Sequence, residues 1–157
     1  RAFSWGVDLL TVHACGGKAM LEVAATEQKK DQSVVAVTVL TSLDQDDLRS
    51  LGIARELKAQ VSHLAKLAID AGIKGLVCSP REIAELREKF PSSILVTPGV
   101  RFEQQTQDQK RTETLTFALK SGASLAVLGR ALTEAADWKL AWQKVISSLD
   151  ETSSAKL

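Results

Sequence analysis

No charge imbalance, no long apolar run and no cysteine framework mark this sequence, and each absence removes a class of protein. Twenty Lys and Arg against nineteen Asp and Glu leave a net +1. With that balance neither nucleic acid nor an anionic membrane has an electrostatic claim as the main partner. No apolar run approaches the roughly eighteen residues of a membrane span, and no signal peptide is visible, so the cytoplasm is the expected compartment. Cys15 and Cys78 lie far apart and lack C-x-x-C spacing. Each follows an apolar run, so a reduced, buried thiol is expected in preference to a disulfide. No metal site and no cofactor is read from these residues.

What remains is 157 residues with 45% hydrophobic and 25% charged side chains. That is enough for one globular domain with a true core, and no Gly/Ser linker or composition shift divides it. Short apolar, β-branched runs alternate with helical patterns. The strand candidates are Val7–His13, Val34–Thr41, Gly75–Cys78, Ile94–Thr97 and Leu125–Leu128. Most are continuous apolar runs, as expected of parallel strands buried on both faces. Helices are expected near Lys18–Lys29, Ala54–Ala71, Arg81–Phe90, Thr114–Lys120 and Ala135–Leu149. Ser79-Pro80-Arg81-Glu82 reads as a capping box with proline at the first helical position. Gly72 and Gly122 stand where a left-handed residue ends a helix.

This alternation argues for five βα units on a parallel sheet. A Rossmann-like sheet would fit the count, but no G-x-G-x-x-G follows the first strand; His13-Ala14-Cys15-Gly16-Gly17 has only a glycine pair. The other architecture is an α/β class (β/α)8 TIM barrel of which this chain supplies roughly the last five units. A closed barrel needs about 200–250 residues, so the chain is too short to close one alone. The opening Arg1-Ala2-Phe3-Ser4-Trp5-Gly6 reads as a helix end running into a strand, so further chain is expected upstream.

The strand ends discriminate. In α/β barrels chemistry sits at the C-terminal ends of strands, and phosphate often sits between the last two loops and a helix N-terminus. The last two ends read Val96-Thr97-Pro98-Gly99-Val100-Arg101 and Val127-Leu128-Gly129-Arg130. Each sets a glycine, which lets a ligand approach the backbone, beside an arginine able to grip an anion bidentately. Together they suggest a two-sided phosphate cradle. At this point six strings fall in order: Thr11-Val-His-Ala-Cys-Gly-Gly17, Val37-Thr-Val-Leu-Thr-Ser42, Gly75-Leu-Val-Cys-Ser-Pro80, Leu95-Val-Thr-Pro-Gly-Val-Arg101, Asp108-Gln-Lys-Arg111 and Leu128-Gly-Arg130. In this order and spacing they resemble the strand-end motifs of the bacterial orotidine 5'-monophosphate decarboxylases, from about Gly6 to about Leu149.

The resemblance implies a (β/α)8 barrel, a homodimer with shared active sites, and cofactor-free decarboxylation of orotidine 5'-monophosphate to uridine 5'-monophosphate. By it, Arg101, Gly129 and Arg130 correspond to the phosphate site. Gln109 corresponds to the glutamine bridging phosphate and pyrimidine, Thr41 to the hydroxyl at the pyrimidine edge, and Pro98 to the proline beside the base. Plainer readings stand beside these. Thr41 could cap the turn that begins at Ser42, and Gln109 lies in a polar stretch, Glu103 to Arg111, that could be solvated loop. His13 is preferred as a structural histidine, as is His63 in its helix. The family's catalytic centre is an Asp-x-Lys-x-x-Asp string on the third strand, aided by a lysine from the second, which protonates the carbon losing carboxylate. No such string occurs in these 157 residues. Asp44, Asp46 and Asp47 are no substitute, because they stand at a helix start where carboxylates favour the dipole. No catalytic residue is therefore assigned to this chain.

Two other functions stay open from the residues. One is a different phosphate-binding barrel enzyme, such as a sugar-phosphate decarboxylase or an epimerase; the other is a non-catalytic phosphate-binding half-barrel. Whichever holds, five strands of an eight-stranded barrel leave edges at Val7–His13 and Leu125–Leu128. Apart from Asp8 near the start of the first, neither edge carries protecting charges or prolines, so the strands are expected to keep their parallel order and the chain to associate.

Overall fold

A computed structural model describes residues 1–101 and 113–154. Its main sheet is parallel and five-stranded, with its strands neighbouring one another in chain order. The strands are Leu9–His13 (β1), Ser33–Val37 (β2), Gly75–Val77 (β3), Ile94–Thr97 (β4) and Leu125–Ala126 (β7). Val100–Arg101 (β5) and Glu113–Thr114 (β6) form a separate two-stranded parallel ladder. The helices are Lys18–Thr26 (α1), Gln45–Ser50 (α2), Leu57–Asp70 (α3), Ile83–Lys89 (α4), Leu115–Lys120 (α5), Arg130–Thr133 (α6) and Trp138–Ser154 (α7). The five expected strands are present in their expected neighbour order. Four are shorter than expected: β1 begins at Leu9, β2 ends at Val37, β3 at Val77 and β7 at Ala126.

Register shows why the strands read as apolar throughout. Val12, Ala36, Leu76 and Leu95 form one row across β1 to β4. Ala36, Leu76 and Leu95 are fully buried in a core with Leu21, Leu64, Ala68, Leu86 and Ala118 from the helices, and Val12 packs against it. The alternate residues form rows on the opposite face: Thr11, Val35, Gly75 and Ile94, then His13, Val37, Val77, Val96 and Leu125. That second face is apolar because a barrel interior is filled by layers of such side chains. Gly75 is required by this layer, since a Cβ there would lie 2.7 Å from Ile94 Cβ and 2.8 Å from Val35 Cγ1. At the edges the layer lies open; Thr11 and His13 are exposed, and Leu125 and Val127 are each 48% exposed.

Side chains tie the connections at the other end of the strands. Gln28 Nε2 donates to the carbonyls of Ala25 and Gly72, while its Oε1 accepts from the N–H groups of Val34 and Lys74. One amide thereby joins the ends of α1 and α3 to the starts of β2 and β3. Arg87 does the same for the next two units. Its guanidinium donates to the carbonyls of Pro91, Ser93 and Gly122 and to Ser124 Oγ. Gly72 and Gly122 take the expected left-handed conformation, with φ of 89° and 101°. The Ser79–Glu82 capping box forms as expected, although it opens a 3-10 turn, Pro80–Glu82, that leads into α4. Outside the barrel wall, between α3 and α4, Glu85 is held by Lys58 at 2.9 Å, Lys89 at 2.6 Å and Ser62 at 3.1 Å.

One expectation is corrected. Cys78 is buried, but Cys15 is exposed. The chain leaves β1 through a 3-10 turn, Ala14–Gly16, and in that turn Ala14, fully buried, occupies the inward position. The apolar run before Cys15 signalled a strand and not the orientation of the turn that follows it.

Candidate functional site

The two Gly–Arg strand ends meet. Pro98, Gly99, Val100 and Arg101 beyond β4 face Val127, Gly129, Arg130 and Ala131 beyond β7 across one cavity of about 190 Å³. The two ends are neighbours because β4 pairs with β7, through Val96 with Leu125 and Thr97 with Ala126. Local chemistry then turns each chain toward the other. Gly99 has φ of 77°, a left-handed conformation that a Cβ disfavours, and it bends the backbone just past Pro98. Below it Thr97 is fully buried, and its hydroxyl donates to the Cys78 carbonyl at 2.9 Å, anchoring the end of β4 to the chain leaving β3. On the far wall Gly129 precedes the short helix α6, whose first residue is Arg130. A Cβ added at Gly129 would meet nothing within 4 Å, so the glycine leaves the cavity floor open. Two guanidinium groups around a volume of this size can bind a compact, doubly charged oxyanion.

Of the expected binding residues, Pro98, Arg101, Gly129 and Arg130 line this cavity. Thr41 does not. It lies four residues beyond β2, with β3 between β2 and β4, and is 8% exposed. It stands in the turn at Thr41–Ser42, ahead of the helix α2. The N-cap of α2 is Asp44, whose carboxylate accepts from the N–H groups of Asp46 and Asp47 while Asp47 reaches back to the Asp44 N–H. The acidic cluster is therefore a capping box. Gln109 lies outside the described residues. His13 ends the row of inward side chains on β1, whereas His63 lies exposed on α3, beside Lys66, Lys89 and Phe90 on the outer wall. Among the described residues no cluster of three or more His, Cys, Asp or Glu side chains could hold a metal ion, and no helix is long and apolar enough to cross a membrane.

The sequence reading missed the β5–β6 ladder beside the cavity. Val100 pairs with Glu113 and Arg101 with Thr114, and Glu113 accepts from Arg81 Nε at 2.9 Å. The one available signal was the pair of β-branched and charged residues on either side of residues 102–112, too short for any periodicity.

Fold and site together define a (β/α)8-barrel protein, five of whose units are present, with an arginine-lined cavity at the C-terminal ends of its last two strands. The comparisons narrow this. The model of the orotidine 5'-phosphate decarboxylase / HUMPS family matches residues 1–145. The chain is 45% identical over 142 residues to the orotidine 5'-phosphate decarboxylase of Sphingopyxis alaskensis, covering 90% of this chain and 63% of that protein. It is 48% identical over 143 residues to the enzyme of the same name from Moorella thermoacetica, covering 84% of this chain and 57% of that one. The crystal structure of orotidine 5'-phosphate decarboxylase from Lactobacillus acidophilus superposes with a TM-score of 0.75 at 32% identity, over 91% of this chain and 63% of the other. The chain belongs to the orotidine 5'-phosphate decarboxylase / HUMPS family. It spans less than two thirds of the length of these relatives.

Proposed function

We propose that this chain is the phosphate- and pyrimidine-binding portion of an orotidine 5'-monophosphate decarboxylase. The observation that carries the reading is the meeting of Arg101 and Arg130 across one cavity at adjoining strand ends, in a chain of this family. In this reading the 5'-phosphate sits between Gly99–Arg101 and Gly129–Arg130, Pro98 flanks the base, Gln109 bridges base and phosphate, and Thr41 meets the pyrimidine edge. Residues 1–157 form a single domain, a partial barrel. The lysine that protonates the departing carbon's site and its aspartate partners belong to strands outside it, since no Asp-x-Lys-x-x-Asp is present. The intact protein would convert orotidine 5'-monophosphate to uridine 5'-monophosphate without a cofactor, as a homodimer in the cytoplasm. The thiols of Cys15 and Cys78 suit a reducing compartment.

Thermal unfolding with a ligand panel tests the binding half of this reading. A ligand bound only by the folded chain stabilises it by about 2.7 kcal/mol at a hundredfold excess over its Kd, or roughly 5–10 °C for a chain of this size. Uridine 5'-monophosphate should shift the transition more than uridine or ribose 5-phosphate. A larger shift from the sugar phosphate would favour a sugar-phosphate enzyme, and no shift from any of them a half-barrel without a ligand. The catalytic half is tested by turnover. The chain alone should release no carbon dioxide from orotidine 5'-monophosphate, and adding a segment that carries Asp-x-Lys-x-x-Asp should restore release.

A further inference from the structure

Arg101 stands on a ladder too short to hold itself. β5 and β6 pair through two residues each, and a two-strand ribbon of that length has little stability of its own. An ion pair fastens it from outside. Arg81 Nε donates to Glu113 Oε1 at 2.9 Å, with the Glu113 side chain only 19% exposed. The backbone of Arg81 is itself fixed, because it lies in the 3-10 turn Pro80–Glu82 after β3. Pro80 opens that turn, the Arg81 N–H donates to Ser79 Oγ, and Glu82 caps the Ser79 N–H. On the other side of Glu113, Thr114 Oγ1 accepts from the Phe117 N–H and so joins β6 to α5.

We propose that Arg81 and Glu113 are positioning residues for the phosphate-gripping Arg101. The ion pair ties the end of β3 to β6, β6 holds β5 in register, and β5 presents Arg101 to the cavity. Neither Arg81 nor Glu113 lines the cavity. The inference rests on the assignment of a phosphate to that cavity and deepens it. Its physical basis is pre-organisation. A bidentate guanidinium grip needs a defined backbone, and a frayed ladder must be re-ordered each time the anion binds, which weakens affinity without removing any contact. A ligand that lacks a phosphate does not use Arg101 and is blind to the change.

The test is calorimetric titration of the full 157-residue chain with uridine 5'-monophosphate and with uridine, alongside thermal unfolding of each variant. Glu113→Gln and Arg81→Gln should each weaken the nucleotide by about two- to fivefold, the range for an ion pair near the surface. Uridine binding and the unfolding temperature should stay as in the wild type, and Arg81→Lys, which keeps the charge, should recover part of the loss. Glu113→Gln with wild-type affinity for the nucleotide overturns the inference alone. Equal losses for nucleotide and nucleoside, tracking a fall in unfolding temperature, overturn it in favour of a merely structural pair. A wild-type chain that takes the nucleotide no better than uridine overturns the phosphate site and this inference with it.

Discussion

Gly75→Ala should destabilise the chain while leaving its cavity intact. The added Cβ would lie 2.5 Å from the Ile94 carbonyl oxygen, 2.7 Å from Ile94 Cβ and 2.8 Å from Val35 Cγ1. Non-bonded carbons prefer about 3.5–4.0 Å, so the methyl intrudes by nearly an ångström on three sides. Val35 can turn its side chain, but the Ile94 oxygen belongs to the backbone of β4, and relief requires β3 and β4 to part. Overpacking of this kind costs about 1–3 kcal/mol. Against it, alanine narrows the unfolded ensemble and returns about 0.4–1 kcal/mol. The net loss centres on about 1.3 kcal/mol with an upper bound of about 2.6, which at a urea slope of about 2 kcal/mol per molar lowers the midpoint by about 0.6 M and at most about 1.3 M. If Gly75→Ala unfolds at or above the wild-type midpoint, the gain in the unfolded state has won. The packed layer of Val35, Gly75 and Ile94 is then wrong.

Three further outcomes are expected. Arg130→Ala should weaken uridine 5'-monophosphate by roughly ten- to a hundredfold by calorimetry, the loss of a charge-assisted contact, with little change in unfolding. Lys89 first, then Lys58, hold the Glu85 carboxyl down to about 2 from its ordinary 4.5, with burial opposing them and Ser62 adding a smaller pull. The folded value is the lower one, so this stabilisation is complete above about pH 4.5 and fades toward pH 2. Denaturation of wild type and Glu85→Gln across that range should show their difference vanishing on the acid side. Light scattering on the purified chain should give a mass above 16.9 kDa, or mass spectrometry a co-purifying partner segment. A monodisperse bare monomer would show that the exposed Leu125 and Val127 need no cover.

Where the sequence was legible, a single residue type decided the local structure. β4 falls on Ile94–Thr97 as expected, because proline and glycine follow at once and end the run. The Ser79 box and the turns at Gly72 and Gly122 were readable for the same reason. β2 was read four residues too long. Thr38–Thr41 continues its β-branched pattern, yet the chain leaves the ladder after Val37, with the Thr38 hydroxyl donating to the Val77 carbonyl. α6 went unread, since the four-residue helix at Arg130–Thr133 shows no periodicity, and α7, expected from Ala135, begins at Trp138. The cavity was legible because the two Gly–Arg ends stand on consecutive units of the sheet. Arg81 and Glu113 were not, since they are thirty-two residues apart and only the fold brings them together.

The strand order has a consequence for how the chain acquires its shape. Each strand of the main sheet pairs only with the one before and the one after it among the five. At the level of βα units the molecule is therefore one-dimensional, as a solenoid is, and its free energy divides into units and the interfaces between successive units. Each pairing still closes a long crossover, as Leu9 with Ser33 and Val35 with Gly75 show, so the array grows unit by unit but slowly for its size. Gln28 and Arg87 sit at such interfaces, each binding one unit to its successor. Removing a terminal unit should shorten such an array by one interface, whereas loss of the Arg87 guanidinium should weaken one interface that the β4–β7 pairing and the shared core still hold.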